Sequence, residues 1–201
     1  MGRCYSDCVP IRYPPLAMNL PDLWLISDER IDAQLPHALA RLPRGSGFIF
    51  RHYRLPPARR RARFEQLARI ARKHGHLVVL SGTPREARRW RAAGAYGAPQ
   101  RLAGGPTGLR LATVHSLREL AQANRTRADA VLLSPVFPTR SHPGAPHLGL
   151  VRFRLMAARS CMPVIALGGM NAYRARSARI RKWAAIQGLA KSPTKSFPIH
   201  S

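Results

Sequence analysis

The sequence predicts a single (β/α)8 barrel, slightly abbreviated, and three observations lead to this fold class. Short apolar runs that stop abruptly at small or polar residues, such as 130–135 and 164–167, are typical of parallel strands buried on both faces. Segments with helical periodicity alternate with these runs, as in βα units. The 201 residues, 45% of them hydrophobic, suffice for one domain with a real core, at the short limit for eight such units.

Eight strands are expected along the chain, with a doubly wound sheet as the alternative arrangement. The predicted strands are residues 23–28, 47–50, 77–80, 94–99, 109–114, 130–135, 164–167 and 183–186, the fourth being the weakest. Helices are expected at residues 32–42, 56–74, 84–93, from Ser116 onward, 148–160 and 171–181. Thr83 and Ser116 are of the residue types that cap helix N-termini.

The ring of helices is expected to be incomplete. Residues 100–108 are too few and too rich in glycine for a full helix, and the last helix is reduced. Residues 1–21 are rich in proline and aperiodic, which predicts a disordered leader, with Met18 as an alternative start. The barrel then occupies residues 22–190, and residues 191–201 form an irregular tail.

The charge is strongly one-sided: 34 Lys and Arg stand against 9 Asp and Glu, and 30 of the 34 are Arg. This excess is interpreted either as solvated arginine on outer helix faces or as a polyanion-binding surface, densest at residues 59–63. Nucleic acid is not expected as the main partner. Because the last acidic residue is Asp129, the second half of the chain cannot supply a carboxylate metal site.

Cysteine content and hydropathy bear on the cellular location of the protein. Three cysteines, of which Cys4 and Cys8 lack a partner pair at metal-ligand spacing, predict neither a disulfide framework nor zinc. Cys161 is expected to be a packed thiol at a strand entrance. No apolar segment approaches the length of a membrane span, and residues 1–21 do not resemble a signal peptide. A cytoplasmic protein is therefore expected.

Five segments resemble the thiamine phosphate synthase family and its relative TenI. SPVFPTRS at 134–141 is similar to GPVFPTxTK, and TVHSLRE at 113–119 is similar to SVHSxEE. PVIALGGMN at 163–171 resembles PVVAIGGIxxxN, while WAAI at 183–186 and LISD at 25–28 resemble the closing and opening strands. The segments follow the family's order over residues 22–190.

This resemblance implies a role in thiamine biosynthesis. The synthase joins a pyrimidine diphosphate to a thiazole phosphate and releases diphosphate with Mg²⁺, whereas TenI isomerises a carboxythiazole phosphate without metal. The small-molecule partners implied are thus thiazole phosphate and pyrimidine diphosphate. A TenI-like tautomerase and a non-catalytic ligand-binding relative remain alternatives to the synthase, and a polyanion-binding protein is a distant one.

The resemblance also implies site residues at the C-terminal rim of the barrel. His115 matches the TenI position for acid–base chemistry, which suits a group titrating near neutrality, although it equally suits a polar residue ending a strand. Thiazole phosphate would be bound by Thr139, Ser141, Gly168, Gly169, Ile186 and Gln187. The alternative is that Thr139 and Ser141 are ordinary loop residues and that the glycines only permit a tight turn.

The half of the site that would bind diphosphate departs from the family pattern. The family's QxRxK on strand two is FRHYR at 50–54, and its metal-binding Asp after strand three is replaced within Ser81-Gly82. The second metal-binding Asp has no counterpart at 98–101, and His142 replaces a lysine. Arg51, Arg54 and Arg101 are candidates to bind diphosphate instead. No protein metal site is predicted, and Mg²⁺ would have to be held through the substrate diphosphate.

Overall fold

Eight parallel strands close into a barrel in the computed structural model, which describes residues 19–126, 128–139, 144 and 146–190. The strands are β1 Leu23–Ile26, β2 Gly47–Phe50, β3 Leu77–Ser81, β4 Gly94–Gly97, β5 Leu109–Val114, β6 Ala130–Leu133, β7 Val164–Ala166 and β8 Trp183–Ala185. They pair in chain order, and β8 returns to β1. The predicted barrel is confirmed and the doubly wound alternative is wrong. Most of the predicted leader (residues 1–18) and the predicted tail lie outside the described residues.

Helices form the outer layer between the strands. They are α1 Leu35–Arg41, α2 Pro57–Lys73, α3 Pro84–Arg89, α4 Pro99–Leu102, α5 Leu117–Arg125, α6 Gly149–Ala157, α7 Ala172–Ser177 and α8 Gln187–Ala190. The four-residue α4 and α8 confirm the abbreviated ring. None of the helices in these described segments is long and apolar enough to cross a membrane.

The core has two layers because strand side chains alternate between the barrel interior and the helices. The inner layer is dominated by Trp24, Ile26, Ile49, Val79, Tyr96, Leu109, Leu111, Ala130, Leu132, Ile165 and Ala184. The outer layer packs helices against the barrel. Helix α2 buries Phe64, Leu67, Ala68 and Ala71 there, as its apolar periodicity predicts.

The structure differs from the sequence prediction at several helix ends. A 3₁₀ helix, Glu29–Gln34, precedes α1 and is capped by the Asp28 carboxylate, which accepts from the Arg30 N–H. Helices α3 and α7 end earlier than expected, and soon after them Arg91 and Arg179 adopt left-handed conformations with φ of 56° and 52°. Such residues break helical geometry.

Cys161 corrects one expectation. Its thiol is exposed instead of packed, and its backbone N–H donates to the Asn124 side-chain oxygen at 3.3 Å. The segment between α6 and β7 therefore lies on the surface, held to the end of α5.

The fit of Trp24 against Gly47 generates a prediction about stability. The two residues are register partners in β1 and β2, Trp24 is fully buried, and a Cβ at position 47 would overlap its indole ring. We expect Gly47→Ala to destabilise the fold by about 1–3 kcal/mol through overpacking, measured by urea unfolding. Gly104→Ala is the matched control, because no atom lies within 4 Å of its added Cβ. Equal effects of the two substitutions would contradict this account of the barrel interior.

Candidate functional site

Polar side chains collect where the strands end at the C-terminal mouth of the barrel. The alternation that turns Ile49, Val79 and Leu111 inward brings Arg51, Ser81 and Thr113 to the inner wall two residues later. In a barrel of this type, the C-terminal face is where ligands bind. The mouth is therefore the candidate site.

Three guanidinium groups, named here the arginine cluster, lie on one side of this mouth: those of Arg51, Arg60 and Arg101. Arg51 and Arg60 stand 5.5 and 5.9 Å from the centre of the Tyr53 ring. Burial lowers the pKa of Arg60, and the positive charge of nearby Arg101 lowers it further. The cluster thus concentrates positive charge around the ends of β2, β3 and β4.

Arg60 holds the cluster together. Its guanidinium donates to the backbone oxygens of Arg51 (3.0 Å) and Ser81 (2.7 Å), where β2 and β3 end. It also lies 5.2 Å from the centre of the Trp90 ring. The side chains of Arg51 and Arg101, in contrast, make no hydrogen bond within the described part of the chain, which leaves their donors available to an anion.

Sequence reasoning found part of this cluster and missed part. Arg51 and Arg101 were predicted to bind diphosphate, and the structure brings both to the mouth. Arg54 is exposed, and its backbone N–H donates to Glu29 Oε1 at 2.8 Å; no contact links its side chain to the cluster among the described residues. Arg60 was missed, although it precedes buried Phe64 and Leu67 by four and seven residues and therefore shares their helix face.

The basic run at 59–63 is not an open patch. Arg60 lies at the mouth, Arg61 pairs with Glu65 at 3.0 Å, and Arg63 pairs with Asp32 at 2.9 Å. Three of its four arginines are thus engaged within the protein, which weakens the polyanion interpretation.

A buried hydrogen-bond chain joins the ends of β1 and β2. The Ser27 hydroxyl lies 2.9 Å from His52 Nδ1, and His52 Nε2 lies 2.7 Å from Asp32 Oδ1. Arg63 donates to the same carboxylate oxygen at 2.9 Å. Ser27 Oγ also accepts the Arg51 N–H at 2.7 Å, so this chain fixes the backbone that carries Arg51. The sequence alone does not bring Ser27, His52 and Asp32 together, because they meet only through the pairing of β1 with β2.

The carboxylates Asp28 and Glu86, in the described part of the mouth, both accept hydrogen bonds within the protein. Asp28 accepts two hydrogen bonds from the Arg30 guanidinium, at 2.7 and 2.9 Å. Glu86 accepts from the Thr83 N–H and hydroxyl at 2.8 and 3.0 Å and so completes a capping box on α3. Within the described residues, no group of three or more His, Cys, Asp or Glu side chains could hold a metal ion. The residues present therefore do not fit the metal site that the resemblance implies.

His115 lies directly after β5 and pairs with Glu119. Glu119 Oε2 accepts from the His115 backbone N–H at 2.6 Å and lies 3.0 Å from His115 Nδ1. In the neutral imidazole, this contact favours the tautomer with the proton on Nδ1, in which Nε2 is an acceptor. The His115 side chain is 54% exposed, so Nε2 is accessible to a ligand.

The predicted phosphate-binding glycines follow β7. Gly168 and Gly169 have φ of 93° and 62°, and a Cβ would lie 2.6 Å from Pro135 Cα or 2.5 Å from the Pro138 oxygen. Both positions therefore require glycine, as the tight-turn interpretation states. Their amide N–H groups donate to no acceptor within the described residues, which also leaves them available to a phosphate.

The remaining predicted residues lie near this turn or outside the described chain. Thr139 is half-buried in the segment after β6. Ile186 and Gln187 join β8 to α8, beside β7 in the barrel. Ser141 lies outside the described residues.

Comparisons with known proteins agree with the resemblance to the thiamine phosphate synthase family. The sequence profile of the TMP-TENI family, described as thiamine monophosphate synthase, matches residues 23–189. The putative thiamine-phosphate synthase 2 of Aquifex aeolicus (strain VF5) is 40% identical over 59 residues, which are 29% of this chain and 32% of that protein. The chain therefore matches about a third of the length of this curated relative.

Two solved structures share the fold. Thiamine phosphate pyrophosphorylase from Pyrococcus furiosus superposes with a TM-score of 0.72 at 23% identity, over 86% of this chain and 88% of that one. Thiamine phosphate pyrophosphorylase from Bacteroides thetaiotaomicron gives a TM-score of 0.55 at 14% identity, over 88% and 89% of the two chains. At these identities the likeness is one of fold.

The ionic contacts of Asp32 generate a prediction about pH. Burial raises the pKa of Asp32, but hydrogen bonds from Arg63 and His52 outweigh burial and hold this pKa below the usual 3.8. A carboxyl whose pKa is lowered by folding stabilises the fold above its unfolded pKa, and this contribution is lost as the pH falls through the folded pKa.

We therefore expect Asp32→Asn to lower the free energy of unfolding by about 1 kcal/mol at neutral pH, since solvent weakens contacts of a partly exposed carboxylate. The difference from wild type should shrink as the pH falls below about 4, measured from urea midpoints across pH. Glu65→Gln, which breaks an exposed pair on α2, should cost only about 0.2–0.5 kcal/mol. A difference for Asp32→Asn that stays constant down to pH 3 would refute the ionic explanation.

Proposed function

The chain belongs to the thiamine monophosphate synthase family, and on that premise we propose that it is a thiamine phosphate synthase-like transferase of thiamine biosynthesis. It couples a thiazole phosphate to a pyrimidine diphosphate at the C-terminal mouth. The carbon–oxygen bond to diphosphate breaks as the bond to the thiazole forms, and diphosphate leaves with the bonding electron pair.

One observation supports this proposal most strongly: the mouth has two anion-receptive sides. The arginine cluster lies at the ends of β2, β3 and β4. The Gly168 and Gly169 amides, which donate to no acceptor among the described residues, follow β7. In a closed eight-stranded barrel, β3 and β7 lie across the axis from each other. A substrate with a phosphate on each side would therefore place its reacting groups over the centre of the barrel.

The thiazole phosphate belongs to the β6–β8 side in this proposal. The Gly168 and Gly169 amides would donate to its phosphate, with the Thr139 hydroxyl and the backbone at Ile186 and Gln187 completing the set. Amide donors after the seventh and eighth strands are a recurrent phosphate site in such barrels. Ser141, outside the described residues, remains part of the expected set.

The diphosphate belongs to the arginine side. Guanidinium groups bind phosphate oxygens in bidentate fashion, and Arg51 and Arg101 have donors to spare. Charge that develops on the leaving diphosphate would be stabilised by groups already in place, which is the efficient form of electrostatic catalysis.

A tautomerase of the TenI type is the second candidate, and the His115–Glu119 pair favours it. Moving a proton around a thiazole ring needs an acceptor such as His115 Nε2, and Glu119 would stabilise the imidazolium that forms. The coupling reaction makes no such demand on His115.

A turnover assay with Arg51→Gln and His115→Ala tests these assignments. We expect thiamine phosphate to form from the two substrates, and Arg51→Gln to lower kcat/KM by about 10- to 150-fold, the loss of one hydrogen bond to a charged group. Arg69→Gln, an exposed substitution on α2, should change it less than about threefold. His115→Ala should retain most coupling activity.

Two results would reverse this proposal. Absence of coupling, together with isomerisation of a carboxythiazole phosphate that His115→Ala abolishes, would establish the tautomerase instead. Absence of both reactions with tight binding of thiazole phosphate would identify a non-catalytic relative.

The glycine turn after β7 generates a separate prediction. We expect Gly169→Ala to weaken binding of thiazole phosphate at least about tenfold, because the Cβ would displace the turn from Pro138 and misplace its amides. Calorimetric titration measures the change. Gly45→Ala is the control, since Gly45 also has positive φ (80°) but an added Cβ meets no atom within 4 Å. Unaltered affinity in Gly169→Ala would remove this turn from the binding site.

A further inference from the structure

In the part of the chain that the structure describes, every acidic residue has a partner within the fold. Nine occur in the sequence, and one of them, Asp7, lies outside the described residues. Each of the other eight accepts a hydrogen bond or pairs with a cation: Asp22 with Lys182, Asp28 with Arg30, Glu29 with the Arg54 N–H, Asp32 with Arg63, Glu65 with Arg61, Glu86 with Thr83, Glu119 with His115 and Asp129 with the Arg110 N–H.

Recruiting Asp28 or Glu86 to a cation would break a contact that holds a helix end at the mouth. Asp28 caps the 3₁₀ helix, and Glu86 caps α3. The arginine contacts keep the pKa of Asp28 low, and hydrogen bonds from Thr83 do the same for Glu86. A hard divalent cation prefers carboxylate oxygens, and both of these carboxylates already have partners within the fold.

The opposite holds for anions. Within the described residues, the guanidinium groups of Arg51 and Arg101 make no hydrogen bond. Arg51 lies with Arg60 near the Tyr53 ring, and Arg101 acts electrostatically on Arg60. Arg60 also donates to the Arg51 backbone oxygen. Glu86 lies close enough to Arg60 and Arg101 for both to lower its pKa, so it offsets one of the three positive charges. The positive charge that remains in surplus favours an anionic ligand.

We propose that the diphosphate subsite of this barrel is metal-free: Arg51 and Arg101, supported by Arg60, bind the diphosphate directly in place of a divalent cation. The inference rests on the proposed function for the identity of the ligand as an organic diphosphate. A cation bound to the diphosphate would cancel the charge that the guanidinium groups recognise. Mg²⁺ therefore competes with the guanidinium groups for the diphosphate.

Titration of inorganic diphosphate into the full-length protein tests the proposal, once in EDTA and once in excess Mg²⁺. We expect one equivalent to bind in EDTA, with Mg²⁺ weakening the affinity. Arg51→Gln and Arg101→Gln should each weaken it at least about tenfold. Arg69→Gln removes the same charge from the outer face of α2 and should stay within about twofold, which separates a site from general attraction to a basic protein. Thermal melting of each variant confirms that the barrel is intact.

Binding that requires Mg²⁺, or is tighter with it, overturns the proposal. So does the absence of binding in both conditions, or equal effects of Arg51→Gln, Arg101→Gln and Arg69→Gln.

The coupling reaction is assayed separately from diphosphate binding, with and without Mg²⁺. Coupling that proceeds only with Mg²⁺ would leave the transferase in place and sink the metal-free subsite. Metal-free binding of inorganic diphosphate without any coupling would leave the subsite in place and sink the transferase.

Discussion

Barrel closure is the constraint on which every other feature depends, because it alone brings eight strand ends to one mouth. The closing pair is short: Leu23, Trp24 and Leu25 of β1 pair with Trp183, Ala184 and Ala185 of β8. An ionic contact reinforces it at the opposite end, where Asp22 lies 2.6 Å from Lys182 Nζ and its backbone oxygen accepts the Trp183 N–H at 2.8 Å. The hydrogen bond from Lys182 lowers the pKa of Asp22, although partial burial acts in the opposite direction. The abbreviated helices α4 and α8 are tolerated because closure is a property of the strands.

Scarcity of acid shapes the chemistry of this mouth. With 34 basic residues against 9 acidic ones, basic side chains far outnumber the carboxylates that could pair with them. Within the described residues, the acids cap helices or accept hydrogen bonds from cationic side chains and backbone N–H groups. Arginine is therefore left in surplus at the ends of β2 and β4. A site for anionic ligands built on such a scaffold draws its charge from arginine directly.

The fold could be predicted from the sequence because each buried strand leaves a local signal: an apolar run, then small or polar residues. The incomplete ring was predictable too, since residues 100–108 are too few and too rich in glycine for a full helix. Contacts between distant segments left no such signal. Ser27, His52 and Asp32 meet because β1 pairs with β2 and a 3₁₀ helix turns Asp32 back over them, and neither register nor turn is encoded in a local pattern. The ends of α3 and α7 were also not predicted. The left-handed conformations after them fall on Arg91 and Arg179, and not on glycine, the residue that usually marks such a helix end.

The arginines of α2 show why composition alone misleads about function. The run at 59–63 has the composition of a polyanion-binding patch, yet its neighbouring side chains make different contacts. Arg60 reaches the ends of β2 and β3, Arg61 pairs along its own helix, and Arg63 returns to Asp32. What separates them is their position on the helix: Arg60 shares the face of Phe64 and Leu67, whereas Arg61 lies about 100° around the helix from it. A count of charges treats these arginines as equal, but the helical period distinguishes an arginine that builds the mouth from one that only faces water.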